Sequence, residues 1–426
     1  MPSLKPFKGV IYDTNKIEDL SLVVAPPYDI ISKKLQNDLY SRDAHNVVRL
    51  ILGKIRPSDT ARNNRYTRSR DFFKSLLEKG VMTRDVKPAI YIYSQGYRFE
   101  GRRIEMMGFI SLMKLEMGKN AVHPHENTLH APKVDRLNLI REVKANLSPI
   151  FILYDDNSHS IMRIMKSFTA RNRPFIDMDV DGVKHRVWKL DDSSLIKKMD
   201  KVIRSRETFI ADGHHRYQVS LNYASEVASS KASPELAKNS KYAMAYFVEF
   251  NEKILTILPT HRVIKDVGGM SASDMLRLLE GSFIIRKASS LEGAMKKLAS
   301  LRNTHAFAAY LGGNYYALQL KDARSSDRVM AGKPKEWRRL DVSILHKFLL
   351  EHLLGIRDQE DNIEFVKDPK DGVKLVKTGS FKAAFFLNPT KALQMKKIAQ
   401  IGERMPRKAT YFYPKPLTGL VVNKLD

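Results

Sequence analysis

Residues 208–217 read Thr-Phe-Ile-Ala-Asp-Gly-His-His-Arg-Tyr. The first four residues are typical of the end of a buried strand, Asp212-Gly213 is typical of a tight turn, and residues 217–227 can continue as a helix with one apolar face. A helix that starts directly after a strand and a turn makes an anion site, because its first amides have no partner within the helix and its dipole favours negative charge. The stretch therefore predicts α/β structure with a phosphate-binding turn.

Four polar side chains lie at this predicted turn or in the first turn of the helix that follows it. Arg216 could donate a forked pair of hydrogen bonds to phosphate oxygens, and His214 and His215 could add further donors. Asp212 could cap the helix or hold a magnesium ion. The structural alternatives are a plain helix cap for Asp212 and a surface ion pair for Arg216. Because all four polar groups follow one apolar strand, the functional interpretation is favoured.

A second histidine-rich segment, residues 123–128, reads His-Pro-His-Glu-Asn-Thr. On a strand, His123 and His125 would face one side and, with Glu126, could bind a metal ion such as zinc. Alternatively, Glu126 is a general acid or base whose acidity is tuned by the neighbouring imidazoles in a partly dry cleft. The third interpretation is a polar loop. The second ligand pair of a structural zinc site is absent, so acid–base chemistry is favoured and no metal site is predicted.

The composition restricts the chemistry further. There is no cysteine, which excludes disulfides, thiolate nucleophiles and cysteine-bound zinc or iron–sulfur clusters. The 73 Lys and Arg residues outnumber the 47 Asp and Glu residues, and the net charge of +26 attracts nucleotides and other anions. Nucleic-acid contact is expected to be non-specific, since no recognised nucleic-acid motif accompanies the charge. A polar N-terminus and the lack of a long apolar stretch predict a cytoplasmic protein without membrane contact.

The organisation of the chain is predicted to be mixed. Its 426 residues correspond to two or three domains, and the hydrophobic periodicity changes between two and about 3.6 residues, which indicates mixed α and β structure. A boundary at the paired glycines after residue 265 gives two domains, residues 1–265 with the candidate site and residues 266–426. The second is expected to be a C-terminal α/β domain whose tail could return to the site.

Local patterns place several elements. Hairpin turns are predicted at three glycine-containing sites, namely Glu100-Gly101, Asp181-Gly182 and Gly312-Gly313-Asn314. The apolar runs 150–154 and 244–250 predict buried strands. Asp341 and Thr390 are predicted to cap two helices near the C-terminus. The segment that follows, residues 402–415, alternates basic and aromatic side chains around prolines, so it could pack over a nucleotide through groups such as Arg407 and Lys408, or form a strand that fills a core.

Several of these stretches resemble one family over nearly the whole chain, the family catalogued as domain of unknown function 1015. The matching stretches are residues 25–29 (APPYD), 123–128 (HPHENT), 145–151 (ANLSPIF), 210–217 (IADGHHRY), 402–406 (GERMP) and 410–415 (TYFYPK). These motifs are long, so the chain is identified as a member of that family. The family itself is largely uncharacterised, and membership alone implies little about chemistry.

A more distant resemblance, carried by the histidine-glutamate segment and the Asp-Gly-His-His-Arg turn, is to free-serine kinases of the ParB and sulfiredoxin-like fold. In those kinases a glutamate acts at the serine hydroxyl and the turn contacts phosphate and substrate. The resemblance implies a ParB/sulfiredoxin-like core with large insertions and a C-terminal α/β region. It implies Glu126 as catalytic base and Asp212, His214, His215 and Arg216 as the turn that contacts phosphate and substrate. Beyond the resemblance, His125 and Asp212 are predicted as further catalytic residues. The full predicted set of phosphate and substrate ligands is His123, Thr128, Lys133, Arg136, Gly213, His214, His215, Arg216, Arg407 and Lys408.

Three functions remain in competition at this point, and one of them, a regulatory nucleotide-binding module without turnover, would leave Glu126 without a role. The first is a nucleotide-dependent kinase that acts on free serine or a similar small hydroxyl metabolite, with Mg²⁺ and ATP or ADP. The alternative is a ParB-like protein that binds nucleotide and nucleic acid without kinase activity. The long stretch between Glu126 and Asp212 and the residues after 266 depart from the kinases. The kinase hypothesis requires Glu126 and the Asp212 turn to share one cleft.

Overall fold

The computed structural model describes residues 2–118, 122–357 and 362–426. These residues form two compact units. The first unit consists of the residues up to 124, residues 128–255 and residues 414–426, and the second of residues 125–127 and 256–413. The division after Leu255 comes earlier than the expected boundary at 265–266, because the strands that follow Leu255 pair within the second unit.

Twelve strands, numbered in chain order, belong to the first unit. They are β1 (Leu4–Lys5), β2 (Val10–Tyr12), β3 (Met82–Arg84), β4 (Ile90–Phe99), β5 (Arg102–Lys114), β6 (Ala145–Asn146), β7 (Ile150–Tyr154), β8 (Ile176–Val180), β9 (Val183–Leu190), β10 (Thr208–Asp212), β11 (Tyr242–Glu249) and, at the C-terminus, β20 (Asn423–Lys424). Eight of them form the main sheet, in the order β10-β7-β11-β5-β4-β9-β8, with β1 paired to β5. The strands β10 and β8 are therefore the first and last strands of this order.

The first unit also contains α-helices. They are α1 (Lys33–Arg42), α2 (Val48–Ile51), α3 (Arg65–Glu78), α4 (His130–Val143), α5 (Ser160–Arg171), α6 (Ser193–Ile203), α7 (His214–Ala228) and α8 (Pro234–Asn239). Of these, α5, α6 and α7 contact the main sheet. One apolar core joins the buried side chains of β4, β5, β7 and β11 to those of α5 and α6. The predicted buried strands are confirmed as β7 and β11, which pair in parallel within the main sheet, next to β10.

Both predicted hairpins of the first unit are confirmed. Glu100 and Gly101 join β4 to β5 with φ angles of 47° and 77°, and Asp181 and Gly182 join β8 to β9 with φ angles of 49° and 78°. Two consecutive positive φ angles are the signature of a type I′ turn, whose twist matches that of the flanking strands.

The second unit contains a six-stranded sheet in the order β14-β16-β15-β18-β13-β17 and a short β12-β19 pair. Its strands are β12 (Thr256–Leu258), β13 (His261–Ile264), β14 (Phe283–Ala288), β15 (Ala306–Leu311), β16 (Asn314–Leu320), β17 (Ile363–Val366), β18 (Ala383–Leu387) and β19 (Tyr411–Tyr413). Its α-helices are α9 (Ala272–Glu280), α10 (Leu291–Ser300), α11 (Ala323–Val329), α12 (Lys335–Arg338), α13 (Asp341–Ser343), α14 (Pro369–Lys377) and α15 (Ala392–Gln400). The predicted turn at Gly312-Gly313 is confirmed between β15 and β16.

The two predicted helix caps of this unit are wrong. The Asp341 carboxylate lies 2.8 Å from Nδ1 of His305, and the helix continues after α13 as a π-helix, Ile344–Leu353. The Thr390 hydroxyl donates to the carbonyl of Ala409, so α15 starts one residue later without it. Both side chains are used by long-range contacts that the local pattern does not contain.

The predicted mixed α/β class is confirmed, since helices and sheets occur in both units. Within the described part of the chain, no helix has the length and apolar character needed to cross a membrane.

Candidate active site

The turn between β10 and α7 requires glycine at its centre. Gly213 has a φ of 93°, which L-residues with a side chain rarely adopt, and a Cβ there would lie 2.9 Å from the Arg216 guanidinium. Phe209 and Ile210 in the preceding strand are fully buried. The predicted sequence of buried strand, tight turn and helix is confirmed, and it places Asp212 directly before the first turn of α7.

The Asp212 carboxylate lies between two cations. Its Oδ2 accepts a 2.5 Å hydrogen bond from Arg216, and its Oδ1 contacts Nζ of Lys415. The side chains of Asp212, Arg216 and Lys415 are only 17%, 11% and 5% exposed. Burial opposes ionisation, but the charges of Lys415 and Arg216 outweigh it and hold the pKa of Asp212 well below its usual range. Asp212 is therefore ionised at neutral pH, and it makes no side-chain cap to α7.

Arg216 also contacts the carbonyl oxygen of Pro149 through its second terminal nitrogen. The guanidinium thus packs over Gly213 and is held from two sides by Asp212 and Pro149. A guanidinium has five N–H groups. Its contacts with described residues leave N–H donors for a further acceptor such as a phosphate oxygen.

The buried Lys415 joins two segments that are far apart in the sequence. Its Nζ lies 3.7 Å from Oδ2 of Asp29 as well as against Asp212. The tail that carries Lys415 is fixed by paired backbone hydrogen bonds of 2.8 and 3.1 Å between Thr418 and Ala25. The stretches 25–29 and 410–415, both among the motifs given above, thereby supply Asp29 and Lys415 to the turn.

Tyr28 and Arg136 line a small cavity beside Arg216. The Arg136 guanidinium lies 4.0 Å from the centre of the Tyr28 ring and donates to the Ile51 carbonyl at 2.6 Å. Burial raises the pKa of Tyr28 to about 12. The cavity has a volume of about 60 Å³, enough for a few water molecules and too small for a nucleotide. Arg136 therefore belongs to the wall around the turn.

The two histidines of the turn face different surroundings. His214 is buried, with 5% of its surface exposed. His215 accepts a 2.9 Å hydrogen bond at Nε2 from the amide of Leu129. A ring nitrogen that accepts a hydrogen bond carries no proton. This bond brings Thr128 and the start of α4 to the turn. Lys133, further along α4, is half-buried and makes no ion pair with any residue that the structure describes.

His123 extends the sheet next to β10. Its amide donates to the carbonyl of Thr208 at 2.8 Å, its carbonyl accepts from Ile210 at 2.9 Å, and its ring stacks on Phe209. His125 is not part of a strand and belongs to the second unit. The alternating strand face needed for a metal site is therefore not formed. In residues 2–118, 122–357 and 362–426, no three His, Asp or Glu side chains are grouped to hold a metal ion.

In the second unit, the segment 125–127 is fixed to the loop before β19. His125 is fully buried, its carbonyl accepts a 2.8 Å hydrogen bond from the Met405 amide, and its Nε2 lies 2.9 Å from Oγ1 of Thr410. Glu126 follows immediately and is half-buried. The backbone around Glu126 is thus anchored at its neighbour His125 by both main-chain and side-chain contacts.

The same loop carries Arg407 and Lys408. Their carbonyls accept hydrogen bonds of 2.9 and 3.2 Å from Arg262, which is fully buried and also contacts His346 at 2.8 Å. Lys408 is exposed and has a φ of 52°. Arg262 therefore contributes to fixing the conformation of this basic loop. No sequence signal identified Arg262, since an arginine after a histidine has no distinctive pattern.

A resident magnesium ion does not fit Asp212 in this arrangement. Both of its carboxylate oxygens contact cationic side chains, whereas magnesium requires oxygen ligands in octahedral geometry. Asp212 is therefore not assigned as a magnesium ligand.

The predicted residues divide between the units. The first unit brings Asp212, Gly213, His214, His215 and Arg216 together with Thr128, Arg136 and the start of α4. The second unit brings His125 and Glu126 together with the loop of Arg407 and Lys408. Sequence reasoning does not identify Tyr28, Asp29 and Lys415 as site residues, although all three lie within the motifs 25–29 and 410–415.

Comparison with known proteins places the chain in a family. No curated protein matches it. Three similar solved structures are a mutant free serine kinase in complex with ADP (12% identity, TM-score 0.34, 68% of this chain and 83% of that chain), a conserved hypothetical protein from Pyrococcus furiosus (14%, 0.33, 71% and 92%) and C-terminally truncated SbnI from Staphylococcus aureus (10%, 0.34, 73% and 86%). The sequence profile of one family matches residues 4–343. The chain belongs to that family, described as Protein of unknown function (DUF1015).

Proposed function

We propose that the protein is a phosphotransferase, a nucleotide-dependent kinase that acts on free serine or a similar small hydroxyl metabolite. The observation that carries this proposal is the turn at Asp212-Gly213. It joins a buried strand to a 15-residue helix, and Arg216 and Lys415 converge on it. A helix N-terminus combined with fixed cations is suited to a phosphate group.

In this proposal the turn holds the phosphates of the donor nucleotide. The first amides of α7 and the remaining N–H donors of Arg216 bind phosphate oxygens. Asp212 holds Arg216 and Lys415 in place, which limits the reorganisation that binding requires. Thr128 and Lys133 add contacts from the segment that His215 fixes next to the turn. The donor is ATP or ADP, which enters as its magnesium complex.

Glu126 acts as the catalytic base. The serine Oγ attacks the terminal phosphorus of the nucleotide, the bond from that phosphorus to the leaving nucleotide oxygen breaks, and the hydroxyl proton passes to the Glu126 carboxylate. An ionised carboxylate suffices, since the hydroxyl loses its proton late, as its bond to phosphorus forms. Because His125 is fully buried, its proposed role is to position Glu126. Arg407 and Lys408 add positive charge near the same segment.

The test is product formation by the full chain. Incubation with serine, magnesium and either ATP or ADP should yield O-phosphoserine, detected by phosphorus NMR. Glu126→Gln keeps the size of the side chain and should lower the turnover rate by about 10²–10⁴, with little change in nucleotide affinity. The matched control is Glu235→Gln, an exposed glutamate in α8, which should leave turnover unchanged.

Two results would contradict this proposal in different ways. Undiminished turnover in Glu126→Gln would exclude Glu126 as the base. Nucleotide binding without any phosphorylated product would favour the alternative, a ParB-like protein that binds nucleotide and nucleic acid without kinase activity. The net charge of +26 supports that second candidate.

A further inference from the structure

A polar groove, distinct from the small cavity beside Arg216, lies at the tips of the two hairpins of the first unit. It has a volume of about 240 Å³. It is formed where β4, β5 and β9 extend beyond the apolar core, and its lining includes Gly96, Arg98, Arg103, Lys184 and Arg186. Gly96 leaves the floor open, since nothing but Lys184 lies within 4 Å of where its Cβ would be.

Two arginines of this groove lie directly opposite each other. Arg98 on β4 is in register with Arg103 on β5, and both are exposed. Side chains alternate between the two faces of a strand, so Arg98 shares its face with Gly96, and Arg103 shares its face with Glu105. Like charges directly opposite each other in an antiparallel pair are destabilising. In the free protein this arrangement therefore has an unfavourable electrostatic energy.

The other charges of the groove are compensated. Lys184 forms ion pairs with Asp177 at 2.6 Å and Asp179 at 3.2 Å, and Arg186 lies 3.5 Å from Asp177 and 4.0 Å from Glu105. Both cationic side chains of β9 in the groove therefore have carboxylate partners.

Arg98 and Arg103 differ from their neighbours. Neither makes an ion pair or a side-chain hydrogen bond with any residue in the described ranges. The carboxylate of Glu100, in the turn between them, pairs with neither. The uncompensated positive charge of the groove is therefore concentrated on these two guanidinium groups.

We propose that Arg98 and Arg103 form a binding site for a phosphate group. Each guanidinium can donate two parallel hydrogen bonds to phosphate oxygens, and an anion between the two arginines removes their mutual repulsion. The groove contains no exposed aromatic ring on which a base could stack, so the recognised chemistry is phosphate itself. The ligand is either a chain of phosphodiesters or a small molecule with a pyrophosphate group.

This site is separate from the Asp212 turn. β10, which ends at Asp212, is the first strand in the order of the main sheet, and β4 is four strands away along this order. At about 4.8 Å per strand the separation is roughly 19 Å. The proposal therefore stands independently of the kinase, and its failure would leave the proposed function untouched.

The test compares two double variants with the same loss of charge. Arg98→Gln/Arg103→Gln removes the proposed site. Arg84→Gln/Arg102→Gln is the control, because Arg84 is exposed on β3 and Arg102, adjacent to Arg103, points to the opposite face of the hairpin. The probes are inorganic pyrophosphate, by calorimetry, and a fluorescein-labelled oligothymidylate, by anisotropy, at one fixed ionic strength.

We expect the first variant to lose about tenfold or more in affinity for at least one probe, and the control to lose less than about twofold. A loss confined to the oligothymidylate identifies a nucleic-acid strand as the ligand source, and a loss of pyrophosphate affinity identifies a small phosphorylated molecule. Equal losses of affinity in both variants would show that the probes respond only to the overall positive charge of the protein, and this would overturn the proposal. Absence of probe binding to the unmodified chain would overturn it as well. Thermal unfolding checks folding: the first variant should melt no lower than the unmodified protein.

Discussion

Replacing Lys415 with methionine tests the charge network at the turn most directly. Methionine keeps the apolar stem and removes the cation that contacts Asp212 and Asp29. The Lys415 side chain is 5% exposed, so water cannot replace it, and the Asp212 carboxylate would remain buried with one cation fewer.

The expected magnitude follows from this burial. Removing one partner of a buried ion pair costs about 3–5 kcal/mol, because the other charge stays desolvated. Arg216 remains on the second oxygen of Asp212, which favours the lower end, so we expect Lys415→Met to lower the free energy of unfolding by about 3 kcal/mol.

The control is Lys424→Met on the same tail. Lys424 pairs with Asp426 at 2.7 Å, but its side chain is 29% exposed. An exposed ion pair contributes about 0–1 kcal/mol, so this variant should stay within about 1 kcal/mol of the unmodified protein. Both variants are made in a Trp337→Phe background. Trp188 in β9 then reports unfolding of the first unit by fluorescence during urea titration.

The pH dependence provides a second readout. Because the folded-state pKa of Asp212 is depressed, its stabilisation is present above its unfolded pKa of about 3.9 and is lost as pH falls further. The difference between the unmodified protein and Lys415→Met should be full at neutral pH and shrink below about pH 4. A Lys415→Met protein that is within about 1 kcal/mol of the control at neutral pH would refute the reasoning. The pair Asp212→Asn/Lys415→Met should recover part of the loss.

Two further predictions concern stability. Gly213→Ala should lower the free energy of unfolding by more than the roughly 1–3 kcal/mol of a strained φ, because the new Cβ also meets the Arg216 guanidinium. Gly182→Ala, at a φ of 78° with open space around it, should show the φ cost alone, and equal losses in a urea titration would contradict the packing role. Burial lowers the pKa of His185 to about 4, below an unfolded value of about 6.5, so the stability of the first unit should fall as pH drops from about 6.5 to about 4, by about 3 kcal/mol in total. In His185→Gln this pH-dependent part of the free energy of unfolding should be absent. An unchanged dependence of the free energy of unfolding on pH would show that His185 is not its source.

Much of the local structure was determined by the sequence itself. The Asp-Gly pairs at 181–182 and 212–213 produced the expected turns, and the apolar runs became β7 and β11. These features depend on the φ and ψ preferences of a few adjacent residues and on the period of apolar positions, so a short window contains the necessary information. The same holds for the start of α7 directly after the Asp212-Gly213 turn.

The partners of those elements were decided only by the tertiary structure. Lys415 reaches Asp212 across 203 positions, and Thr390 is drawn to Ala409 away from its expected cap. His123 and His125, two residues apart, belong to different units. A buried carboxylate needs a cation, and a buried hydroxyl needs an acceptor. The sequence shows that such a partner is required. Because any part of the chain can supply the partner, only the tertiary structure shows which residue it is.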